Sequence, residues 1–595
     1  MTQEWRPSGL GETWFNERYA RFEGETWEQA CKRVAEHVGR AEDNGKYQRY
    51  TDRFNEELVS NRFMPGGRIW YGSGRPKAQL LNCFVVPTAD SREGWGKTIS
   101  DVIVVSGTGG GVGINCSPVR PRGWDIKGTG GKTTGSISLM QMIDRVGDIL
   151  VGGGGRRLAL MLCLDVNHPD IKEFLNVKLS LNQLNNANIS VVLNYDTSEF
   201  VAAVREGKDI ELVFGGRGTG TYVNAKDLWE TIVNNAWKSG EPGVLNGFEA
   251  NRLSNIYYHK PLVSTNPCGE IWLEEYGCCC LGALVLPRFI TNGKMDWDTL
   301  DTTIRLGVRF LDNVLTVNHY PLPEIKENCE EVRRIGLGVM GLHTMLLGLG
   351  YKYSSPEGKK FVDELFHFIK YVSYDASIQL AGEKGPFPAY KEEYLDSGFI
   401  KTLKRGVRAK IREYGIRNCA ILTIAPTGTT SQVAGVSSGI EPLFAPVYWR
   451  HYGKANLESN ERNTFKELVV TEEFQQYGDL AEGAYDITPK DHFEIQKIVQ
   501  KHVDNSISKT INLPKDYPVE SLAELWLEYL PYVKGTTFYR EGSRGKEPLE
   551  YIPMDQAAQY LNQGTVESNY EDLSAMDCPD GMCEIPMREP ALAVV

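Results

Sequence analysis

The sequence predicts an α/β protein with one large body. Across residues 63–287, short apolar runs alternate with glycine-rich turns and helical stretches, which is the pattern of strands joined by helices. Two longer stretches, residues 300–317 and 361–381, have the amphipathic spacing of helices. A chain of 595 residues with 41% apolar content can bury a large core. We therefore expect one main domain with appendages at its ends.

The two ends of the chain differ from this body. Residues up to about 62 are expected to be helical, because apolar residues recur at helical spacing in residues 28–36 and 52–58. After residue 546 the chain becomes polar and then acidic, with Gly and Pro interruptions. It has too few large apolar residues there to form a core, so residues 547–595 are predicted to be a mobile tail.

Within the body, three shorter stretches have less certain structure. Residues 102–106 and 158–164 are apolar runs that are either buried strands or helix ends, because periodicity does not separate the two in so short a run. Residues 423–434 resume the pattern of a strand followed by glycine.

The composition excludes several classes of protein. A formal net charge of −12 and a pI near 5.5 argue against non-specific binding to nucleic acid, which needs a basic face. No apolar run of 18 residues occurs and the first residues do not resemble a signal peptide, so a cytoplasmic protein without membrane association is expected. Twelve cysteines in such a chain favour redox or metal chemistry over a disulfide framework. No paired Cys-x2-Cys set is present, so no zinc site is expected.

The segment Asn266-Pro267-Cys268-Gly269-Glu270 is the strongest candidate for chemistry. Structural cysteines usually have apolar neighbours, because an unpaired carboxylate beside them is costly to bury. Pro267 and Gly269 disfavour a helix and favour a tight loop tip that presents the thiol. We interpret the segment as a reactive cysteine with its own hydrogen-bonding groups. The alternative is a surface turn that happens to contain a cysteine.

Two further pairs of cysteines are candidates for redox chemistry. Cys279 lies in a run of three cysteines, and Cys83 begins an apolar, strand-like run where a core cysteine is the simpler interpretation. Cys83 is a candidate partner of Cys279, although the sequence does not show that the two meet. Cys578 and Cys583 lie close together in the Pro/Gly-containing tail, where they could bridge as a dithiol shuttle or be incidental.

Three segments are candidates for contact with a nucleotide. Residues 107–113 are glycine-rich but lack the Lys-Ser/Thr ending of a P-loop and the order of the dinucleotide fingerprint. Residues 152–157 place two arginines after four glycines, which suits contact with a base or phosphate, or a surface loop with solvated arginines. Residues 425–431 gather hydroxyl side chains around Gly428, which favours an anion site over a plain N-cap turn, with residues 432–434 opening a helix.

Together and in this order, these segments resemble the catalytic subunit of ribonucleotide reductase. The resemblance covers residues from about 60 to 545 and the tail. It rests on residues 110–115 (Gly-Gly-Val-Gly-Ile-Asn), 154–157 (Gly-Gly-Arg-Arg), 168–171 (His-Pro-Asp-Ile), 266–270 (Asn-Pro-Cys-Gly-Glu), Cys279 with 281–284 (Leu-Gly-Ala-Leu), 334–338 (Arg-Ile-Gly-Leu-Gly) and 426–442. It implies a ten-stranded α/β barrel, two five-stranded half-barrels around a central finger loop, over residues 63–546. The N-terminal helical region is then 1–62, and the redox-active tail 547–595.

The resemblance also implies a role for each candidate residue. Cys268 resembles the thiyl-radical cysteine that abstracts the ribose 3′ hydrogen. Glu270 resembles the general base for the 3′-hydroxyl, and Asn266 the carboxamide that binds the ribose hydroxyls. Cys83 and Cys279 resemble the pair that is oxidised to a disulfide as the 2′-hydroxyl leaves as water.

Other positions match the family's binding and shuttle residues. Cys578 and Cys583 resemble the tail pair that re-reduces the active-site disulfide for a thioredoxin-like donor. The positions that resemble substrate contacts are Asn82, Gly111, Pro426, Thr427, Gly428, Thr429 and Thr430. A nucleoside triphosphate effector is expected at Asp90, Lys127 and Arg156.

The source of the radical divides the family, and this chain resembles the class II form. A relay through two adjacent tyrosines needs a hydroxyl at position 538, where this chain has Phe538. The resemblance therefore implies adenosylcobalamin as cofactor, with the cobalt held in the cofactor and no protein metal site. The expected activity is the reduction of ribonucleotides to DNA precursors, with triphosphates slightly favoured over diphosphates. The alternatives are a class I-type subunit that needs a metal-containing partner and a non-catalytic nucleotide-binding protein.

The chain departs from the family pattern at a few places. Leu158 follows Arg157 where the family usually has glycine, and Cys278 and Cys280 flank Cys279, so that assignment could shift by one. No N-terminal ATP-binding cone is expected, although choice of substrate by an effector could persist. Either a monomer or a homodimer fits the sequence.

Overall fold

The structure is a computed structural model that describes residues 5–152, 156–179, 183–455, 462–543, 549–560 and 566–568. Its α-helices are α1 (Leu10–Arg18), α2 (Trp27–Gly39), α3 (Tyr47–Val59), α4 (Gly67–Gly72), α5 (Arg92–Gly107), α6 (Ser136–Ile149), α7 (Ile171–Asn176), α8 (Thr197–Glu206), α9 (Ala225–Ser239), α10 (Gly247–Arg252), α11 (Trp297–Val317), α12 (Pro323–Val332), α13 (Leu342–Gly348), α14 (Pro356–Lys384), α15 (Arg405–Tyr414), α16 (Gly428–Ala434), α17 (Glu472–Tyr477), α18 (Pro489–Gln500), α19 (Val519–Tyr529) and α20 (Met554–Ala557).

The strands of the same residues are β1 (Phe63–Pro65), β2 (Cys83–Val85), β3 (Gly111–Asn115), β4 (Val151–Gly152), β5 (Arg156–Arg157), β6 (Leu160–Asp165), β7 (Ala187–Val192), β8 (Asp209–Phe214), β9 (Arg217–Asn224), β10 (Gly243–Leu245), β11 (Ser264–Thr265), β12 (Trp272–Leu273), β13 (Leu281–Val285), β14 (Ile290–Thr291), β15 (Lys294–Met295), β16 (Gly336–Met340), β17 (Val447–Ala455), β18 (Arg462–Val470), β19 (Thr510–Leu513), β20 (Gly535–Arg540), β21 (Leu549–Ile552) and β22 (Val566–Ser568).

The N-terminal region is helical, as its periodicity predicts. α2 begins at a capping box in which Thr26 and Gln29 each satisfy the other's backbone N–H. The apolar faces of α2 and α3 pack on α11, where the Phe54 and Phe310 rings lie 5.2 Å apart. α1 packs on α16, and this contact attaches the N-terminal region to a loop that bears candidate site residues.

The first half of the barrel is a parallel sheet in the order β2-β3-β6-β7-β10. The strands are short apolar runs that are buried on both faces, which is typical of parallel sheets covered by helices. The apolar run at 158–164 therefore forms a strand, β6, whereas the run at 102–106 is the end of helix α5.

The second half is a parallel arrangement of β13, β16, the extended segment 421–424, β19 and β20. β13 pairs with β16 in register, and Leu337 bridges to Leu422. Ile424 bridges to Ile507 just before β19, and β19 pairs with β20. All of these contacts are parallel. The five segments together form the second half of the barrel.

The two halves join in antiparallel fashion at both seams. β10 pairs with β20 at one seam. At the other, the segment before β13 pairs with β2, where the Cys279 N–H donates to the Cys83 carbonyl at 2.9 Å. The predicted ten-stranded barrel of two five-stranded halves is therefore confirmed.

A hairpin passes through the barrel. β11 and β12 pair antiparallel and connect at the turn 266–271, which we call the finger. The finger lies against β3 because Gly113 has no side chain: a Cβ there would be 1.7 Å from the Thr265 carbonyl oxygen. At the turn, Gly269 has φ +78°, a conformation that favours glycine. The predicted central finger loop is present.

Two details differ from or extend the sequence predictions. Helix α16 begins at Gly428 and not at residue 432, because Thr427 takes a left-handed conformation (φ +52°) and the helix starts directly after it. Leu549–Ile552, within the predicted tail, form β21, which pairs with β17 in a four-stranded sheet beside the barrel. The tail from residue 569 lies outside the described residues, so its predicted mobility stays a prediction.

Among the helices that the structure describes, none has both the length and the apolar content needed to cross a membrane.

Candidate active site

The finger turn is held by its own first residue. The Asn266 carboxamide oxygen accepts a hydrogen bond from the Ile271 N–H at 3.1 Å, and the Gly269 N–H donates to the Asn266 carbonyl at 3.0 Å. These bonds close a tight turn and leave Cys268 half-buried at its tip. Pro267 rests on β3, since a Cβ on Gly111 would be 3.0 Å from the proline ring. The predicted loop tip that presents a thiol is what the fold produces.

Cys83 and Cys279 face each other across the seam beside the finger. Their backbones are hydrogen-bonded neighbours, and both side chains pack in one small apolar cluster with Ile271 of the finger. The pKa of the fully buried Cys279 thiol is raised well above its usual range by burial and then by contact with the Cys83 thiol. The Cys83 sulfur also lies close to Gly111, at 3.2 Å from a Cβ built there.

Cys268 belongs to the same group of thiols. Its pKa is raised well above the usual range, first by its largely protein-filled surroundings and then by the nearby Glu270 and Cys83. The raised pKa values keep the Cys268 and Cys279 thiols in the neutral S–H form near neutral pH. A neutral thiol can give up a hydrogen atom, so the site is suited to hydrogen-atom transfer more than to attack by a thiolate.

Glu270 is buried beside these thiols without a full set of partners. Only 1% of its surface is exposed, and burial raises its pKa to about 7, an effect that the Asn266 carboxamide and a backbone hydrogen bond partly offset. Its backbone carbonyl is fixed by the Ser506 N–H at 2.9 Å and by the Thr423 hydroxyl at 2.6 Å. A carboxyl with a pKa near 7 can accept or donate a proton at neutral pH.

Several buried polar atoms around the finger lack a hydrogen-bond partner within the described part of the chain. These atoms are Asn82 Oδ1, Thr265 Oγ1, Asn266 Nδ2, Glu270 Oε2 and Ser506 Oγ. Buried polar atoms are normally paired, so a group of unpaired ones in one place indicates a binding site for a polar ligand. Sequence reasoning identified three of these residues and missed Thr265 and Ser506, which no motif distinguishes from core hydroxyls.

The predicted substrate loop, residues 426–430, lies near the same thiols. Ala425, directly before it, packs in the cluster that contains Cys83 and Cys279. The Thr427 hydroxyl accepts the Gly439 N–H at 2.8 Å and so ties the loop to a following turn. Residues 426–429 are partly exposed while Thr430 is buried. The loop therefore presents hydroxyls and N–H groups at the mouth of the barrel where the finger tip lies.

The predicted effector residues are only partly brought together. Asp90 accepts hydrogen bonds from the Arg120 backbone at 3.0 Å and side chain at 3.1 Å, and Arg120 in turn donates to the Asp125 carbonyl. Lys127 is exposed on the turn that follows Asp125. Arg156 begins β5, which pairs with β4, and its side chain lies outside what the structure describes.

The neighbours of Cys279 point away from the finger. Cys278 and Cys280 belong to the main core, where the Cys280 thiol donates to the Leu311 carbonyl and Cys278 contacts Cys329. Successive residues of an extended segment face opposite sides. Of the three cysteines, the central one thus lies against Cys83. The tail cysteines Cys578 and Cys583 fall outside the described residues.

Phe538 is a packing residue on the outer surface of the barrel. Its ring centroid lies 4.4 Å from that of Trp526 and 5.9 Å from that of Phe493, and only 2% of its surface is exposed. Across residues 5–152 and the other described ranges, no cluster of three or more His, Cys, Asp and Glu side chains is arranged to hold a metal ion.

Comparison with known proteins identifies two family domains that together cover most of the chain. Residues 81–539 match the ribonucleotide reductase barrel domain, and residues 6–78 match the ribonucleotide reductase all-alpha domain.

Curated relatives extend this comparison. The chain is 34% identical to a vitamin B12-dependent ribonucleoside-diphosphate reductase of Mycobacterium tuberculosis (strain ATCC 25618 / H37Rv), over 90% of this chain and 76% of the relative. It is also 34% identical to one of Thermoplasma acidophilum, over 84% and 66%. A ribonucleoside-diphosphate reductase subunit alpha of Chlamydia pneumoniae is 30% identical over 66% and 43%. The two domain matches and the first relative establish that this chain belongs to the ribonucleotide reductase large-subunit family.

Proposed function

We propose that this protein reduces ribonucleotides to 2′-deoxyribonucleotides by a thiyl-radical mechanism that adenosylcobalamin initiates. The observation that carries the proposal is the grouping of three thiols and one carboxyl with a pKa of about 7 around the finger tip. Removing a ribose hydroxyl as water requires a hydrogen-atom carrier, an acid–base group and two reducing equivalents. Cys268, Glu270 and the Cys83–Cys279 pair supply these three functions.

Cys268 carries the radical. Its thiyl form takes the hydrogen atom from C3′ of the ribose and returns a hydrogen atom to C3′ at the end of the cycle. The position at the tip of a hairpin inside the barrel supports this role, because a carbon-centred radical has to be kept from water. The raised pKa of Cys268 favours S–H, which is the form that gives and receives hydrogen atoms.

Glu270 and Asn266 act on the ribose hydroxyls. Glu270 Oε2 accepts the 3′-hydroxyl proton in its ionised form, and the unpartnered Asn266 Nδ2 donates to a ribose hydroxyl oxygen. Neither atom has a hydrogen bond within the described residues, although the Asn266 carboxamide lies close enough to lower the pKa of Glu270, so the ribose hydroxyls would give both atoms partners.

Cys83 and Cys279 supply the reducing equivalents. The C2′–O bond breaks and the hydroxyl leaves as water, a C2′–H bond forms, and the two thiols lose two hydrogen atoms in total and become a disulfide. The contact between the two side chains supports this role. Cys578 and Cys583 would reduce the disulfide by thiol exchange, with a thioredoxin-like protein as the final donor.

The substrate would lie between the finger tip and the hydroxyl loop. Asn82 and Gly111 line the side of β2 and β3, and Pro426, Thr427, Gly428, Thr429 and Thr430 would receive the phosphates. Asp90, Lys127 and Arg156 would take the effector nucleotide, and Asp90 would have to exchange its Arg120 partner for the ligand or bind through it.

The surroundings of Cys268 fit a cofactor that must touch its sulfur. The thiol is half-buried, and a Cβ on Gly269 would have Leu245 Cδ2, at 3.9 Å, as its nearest atom. Leu245, Gly269 and Gly535 would therefore line the reactive end of the cofactor. When bound, adenosylcobalamin supplies a carbon-centred radical that can take the hydrogen atom from the Cys268 thiol. The names of the mycobacterial and Thermoplasma relatives support cobalamin as the cofactor.

The phosphorylation state of the substrate is the point on which sequence and relatives differ. The resemblance slightly favours triphosphates, whereas the mycobacterial and Thermoplasma relatives are named diphosphate reductases. We therefore propose a ribonucleoside diphosphate as the substrate.

The reconstituted reaction tests the proposal. Purified protein is incubated without oxygen with adenosylcobalamin, a dithiol and a ribonucleoside di- or triphosphate, and 2′-deoxynucleotide is measured by chromatography. We expect product from the diphosphate with no second protein present. Product that appears only after addition of a metal-containing partner subunit would contradict the cobalamin assignment and favour the class I-type alternative. Absence of product under both conditions would favour a non-catalytic nucleotide-binding protein.

A further inference from the structure

A basic groove lies on the protein surface beside the segment that leads into β20. It encloses about 560 Å³ and is lined by six cationic side chains: Arg252, Lys359, Lys360, Lys497, Lys501 and Lys534. Two carboxylates, Glu249 and Asp363, line it as well. We call this cavity the basic groove. Its lining carries a formal charge of +4 (six cations less two carboxylates) on a chain with a net charge of −12.

The basic groove lies beside the finger on the side of β20, where a Cβ on Gly535 would be 3.9 Å from the Gly269 carbonyl oxygen. Lys534 directly precedes β20, whose first residue, Gly535, pairs with Leu245 at the end of β10. The finger enters the barrel where Asn115 at the end of β3 donates to the Val263 carbonyl at 3.1 Å. Cys83 and Gly111 begin β2 and β3, and so lie at the other end. The lining of the groove includes none of the predicted substrate contacts.

The cations in the groove are only partly neutralised. Lys501 pairs with Asp363 at 3.0 Å, Lys497 with Glu494 at 3.7 Å, Arg252 with Glu249, and Lys359 with Asp491. Lys360 and Lys534 have no carboxylate within ion-pair distance among the residues that the structure describes. The Lys534 amine is buried and donates to two backbone carbonyls, and burial lowers its pKa to about 8. An anionic ligand would therefore meet a lining of net positive charge, in which Lys360 is exposed and unpaired among the described residues.

One wall of the groove is aromatic and exposed. Tyr532 is 52% exposed, and the Lys497 ammonium lies 4.4 Å from its ring centroid. An aromatic face beside lysines suits a planar ring that is attached to a phosphate chain. A cavity of this volume is also in the range of small-molecule sites, about 300–1,000 Å³.

We propose that the basic groove binds a small molecule that carries an oligophosphate chain, either a nucleoside triphosphate or a free oligophosphate. The site shares Lys534 with the base of the finger. Lys534 Nζ donates to the Asp504 and Asn505 carbonyls at 2.6 and 2.9 Å, and the next residue, Ser506, holds the Glu270 carbonyl. The Lys534 carbonyl accepts the Trp272 indole N–H at 3.0 Å. A ligand that draws on Lys534 would therefore act on the segment that positions Glu270.

Calorimetric titration of the full chain tests the proposal without any need for turnover, and the groove variant leaves the proposed substrate and effector residues unchanged, so a loss of binding in that variant alone is specific to the groove. The probes are tripolyphosphate and ATP, at near-physiological ionic strength so that weak surface attraction is screened. The groove variant is Lys360→Gln with Lys501→Gln, two exposed side chains. The control variant is Lys32→Gln with Lys326→Gln, which removes the same charge from exposed lysines on α2 and α12.

We expect the groove variant to bind the probe about tenfold more weakly, equivalent to 1.4 kcal/mol, and the control variant to bind like the wild type. Hydrogen–deuterium exchange of wild-type protein with the probe should show protection at residues 497–503 and 530–534. The variant Tyr532→Ala distinguishes a nucleoside triphosphate from a free oligophosphate as the ligand. Weaker binding of ATP alone would indicate a nucleoside triphosphate, and unchanged affinity for both probes would indicate a free oligophosphate.

Three results would overturn the proposal. The first is no binding of either probe by the wild type. The second is an equal loss in the groove and control variants, which would show attraction by general charge. The third is protection confined to residues 425–434, which would place the probe at the predicted substrate loop. Binding of an acidic peptide, with neither phosphate probe bound, would instead assign the groove to a protein partner.

Discussion

The finger has a buried glutamate at its tip and another at its base, and the protein shifts their pKa values in opposite directions. Glu270 at the tip and Glu274 at the base are four positions apart, and each is 1% exposed. Glu274 accepts hydrogen bonds from Asn328 at 2.7 Å and Arg334 at 2.8 Å, and these partners hold its pKa below the usual range despite burial. Glu270 has an unpartnered oxygen among the described residues, and its pKa is raised to about 7.

This difference indicates that Glu274 has a structural role and Glu270 a chemical one, within the same hairpin. The fold neutralises the buried charge at the base with a buried arginine, which fixes the finger in the barrel. At the tip it leaves a carboxyl, a carboxamide and three thiols with capacity for a ligand. Ionisable groups with perturbed pKa values are concentrated at functional sites, because catalysis needs such groups although they lower stability. The tip is therefore where we expect substitutions to remove function while the fold persists.

The largest expected effect is that of Cys268→Ser at the tip. A serine hydroxyl cannot carry the radical, because its O–H bond is much stronger than S–H, so we expect deoxynucleotide formation to fall to background. The melting temperature should stay within a few degrees of the wild type, since the thiol is half-buried and makes no structural bond. Cys280→Ala, a change in the core behind the finger, is the control and should retain turnover. Substantial turnover by Cys268→Ser would contradict the assignment of the finger tip as the site of the chemistry.

The next effect separates Cys279 from its neighbour. Cys279→Ser should lose multiple turnover with a dithiol donor, because no disulfide can form with Cys83. Cys278→Ser changes a thiol on the other side of the same segment and should lose stability, by roughly 1 kcal/mol, but keep turnover. Steady-state assays and thermal unfolding of both variants check this. The reverse pattern would shift the assignment of the reducing cysteine by one.

The two glutamates predict opposite changes in stability. Glu270→Gln should slow turnover by roughly 10²–10⁴-fold through loss of the base. Because the folded-state pKa of Glu270, about 7, exceeds the ordinary value of 4.5, ionisation costs stability as pH rises above 4.5, and the cost is complete above 7. At pH 8 the variant should therefore unfold with up to roughly 3 kcal/mol more free energy. Glu274→Gln should lose roughly 3 kcal/mol, because it leaves Arg334 buried without its charge partner. Denaturant unfolding at pH 8 measures both, and a loss of stability in Glu270→Gln would show that the tip carboxyl is structural.

The smallest effect is on the pH dependence of kcat/KM. Glu270 must be ionised to accept a proton, so kcat/KM should rise about tenfold per pH unit below 7 and level off above it. The residual activity of Glu270→Gln should lack this rise. A wild-type profile that is flat across pH 7, with substrate and cofactor saturation checked at each pH, would contradict the assignment of Glu270 as the base.

Local sequence and family resemblance predict different parts of this molecule. The long helices at 297–317 and 356–384 follow from amphipathic spacing, because many turns repeat the same pattern. The barrel order and the finger came from the resemblance. Short apolar runs give no such information: residues 102–106 belong to a helix, and residues 158–164 contain a strand.

The site shows the same limit. The motif around Cys268 marks the tip, because thiol, carboxylate and carboxamide are adjacent in sequence. The partners of the base are not adjacent: Arg334 lies 60 positions from Glu274. Ser506 and Thr423, which fix the Glu270 backbone, come from two different strand segments, and only the closed barrel brings them to the finger. The start of α16 depended on the left-handed conformation of Thr427, which residue type alone does not predict.

The most direct test of the proposed active site is a count of product and thiols without an external reductant. A variant with Cys578→Ser and Cys583→Ser is mixed without oxygen with adenosylcobalamin and a ribonucleoside diphosphate, and the chain is then alkylated and mapped by mass spectrometry. The account predicts one deoxynucleotide per chain and one disulfide, between Cys83 and Cys279. Product without that disulfide, or a disulfide that involves Cys278, Cys280 or Cys329 in its place, would contradict it.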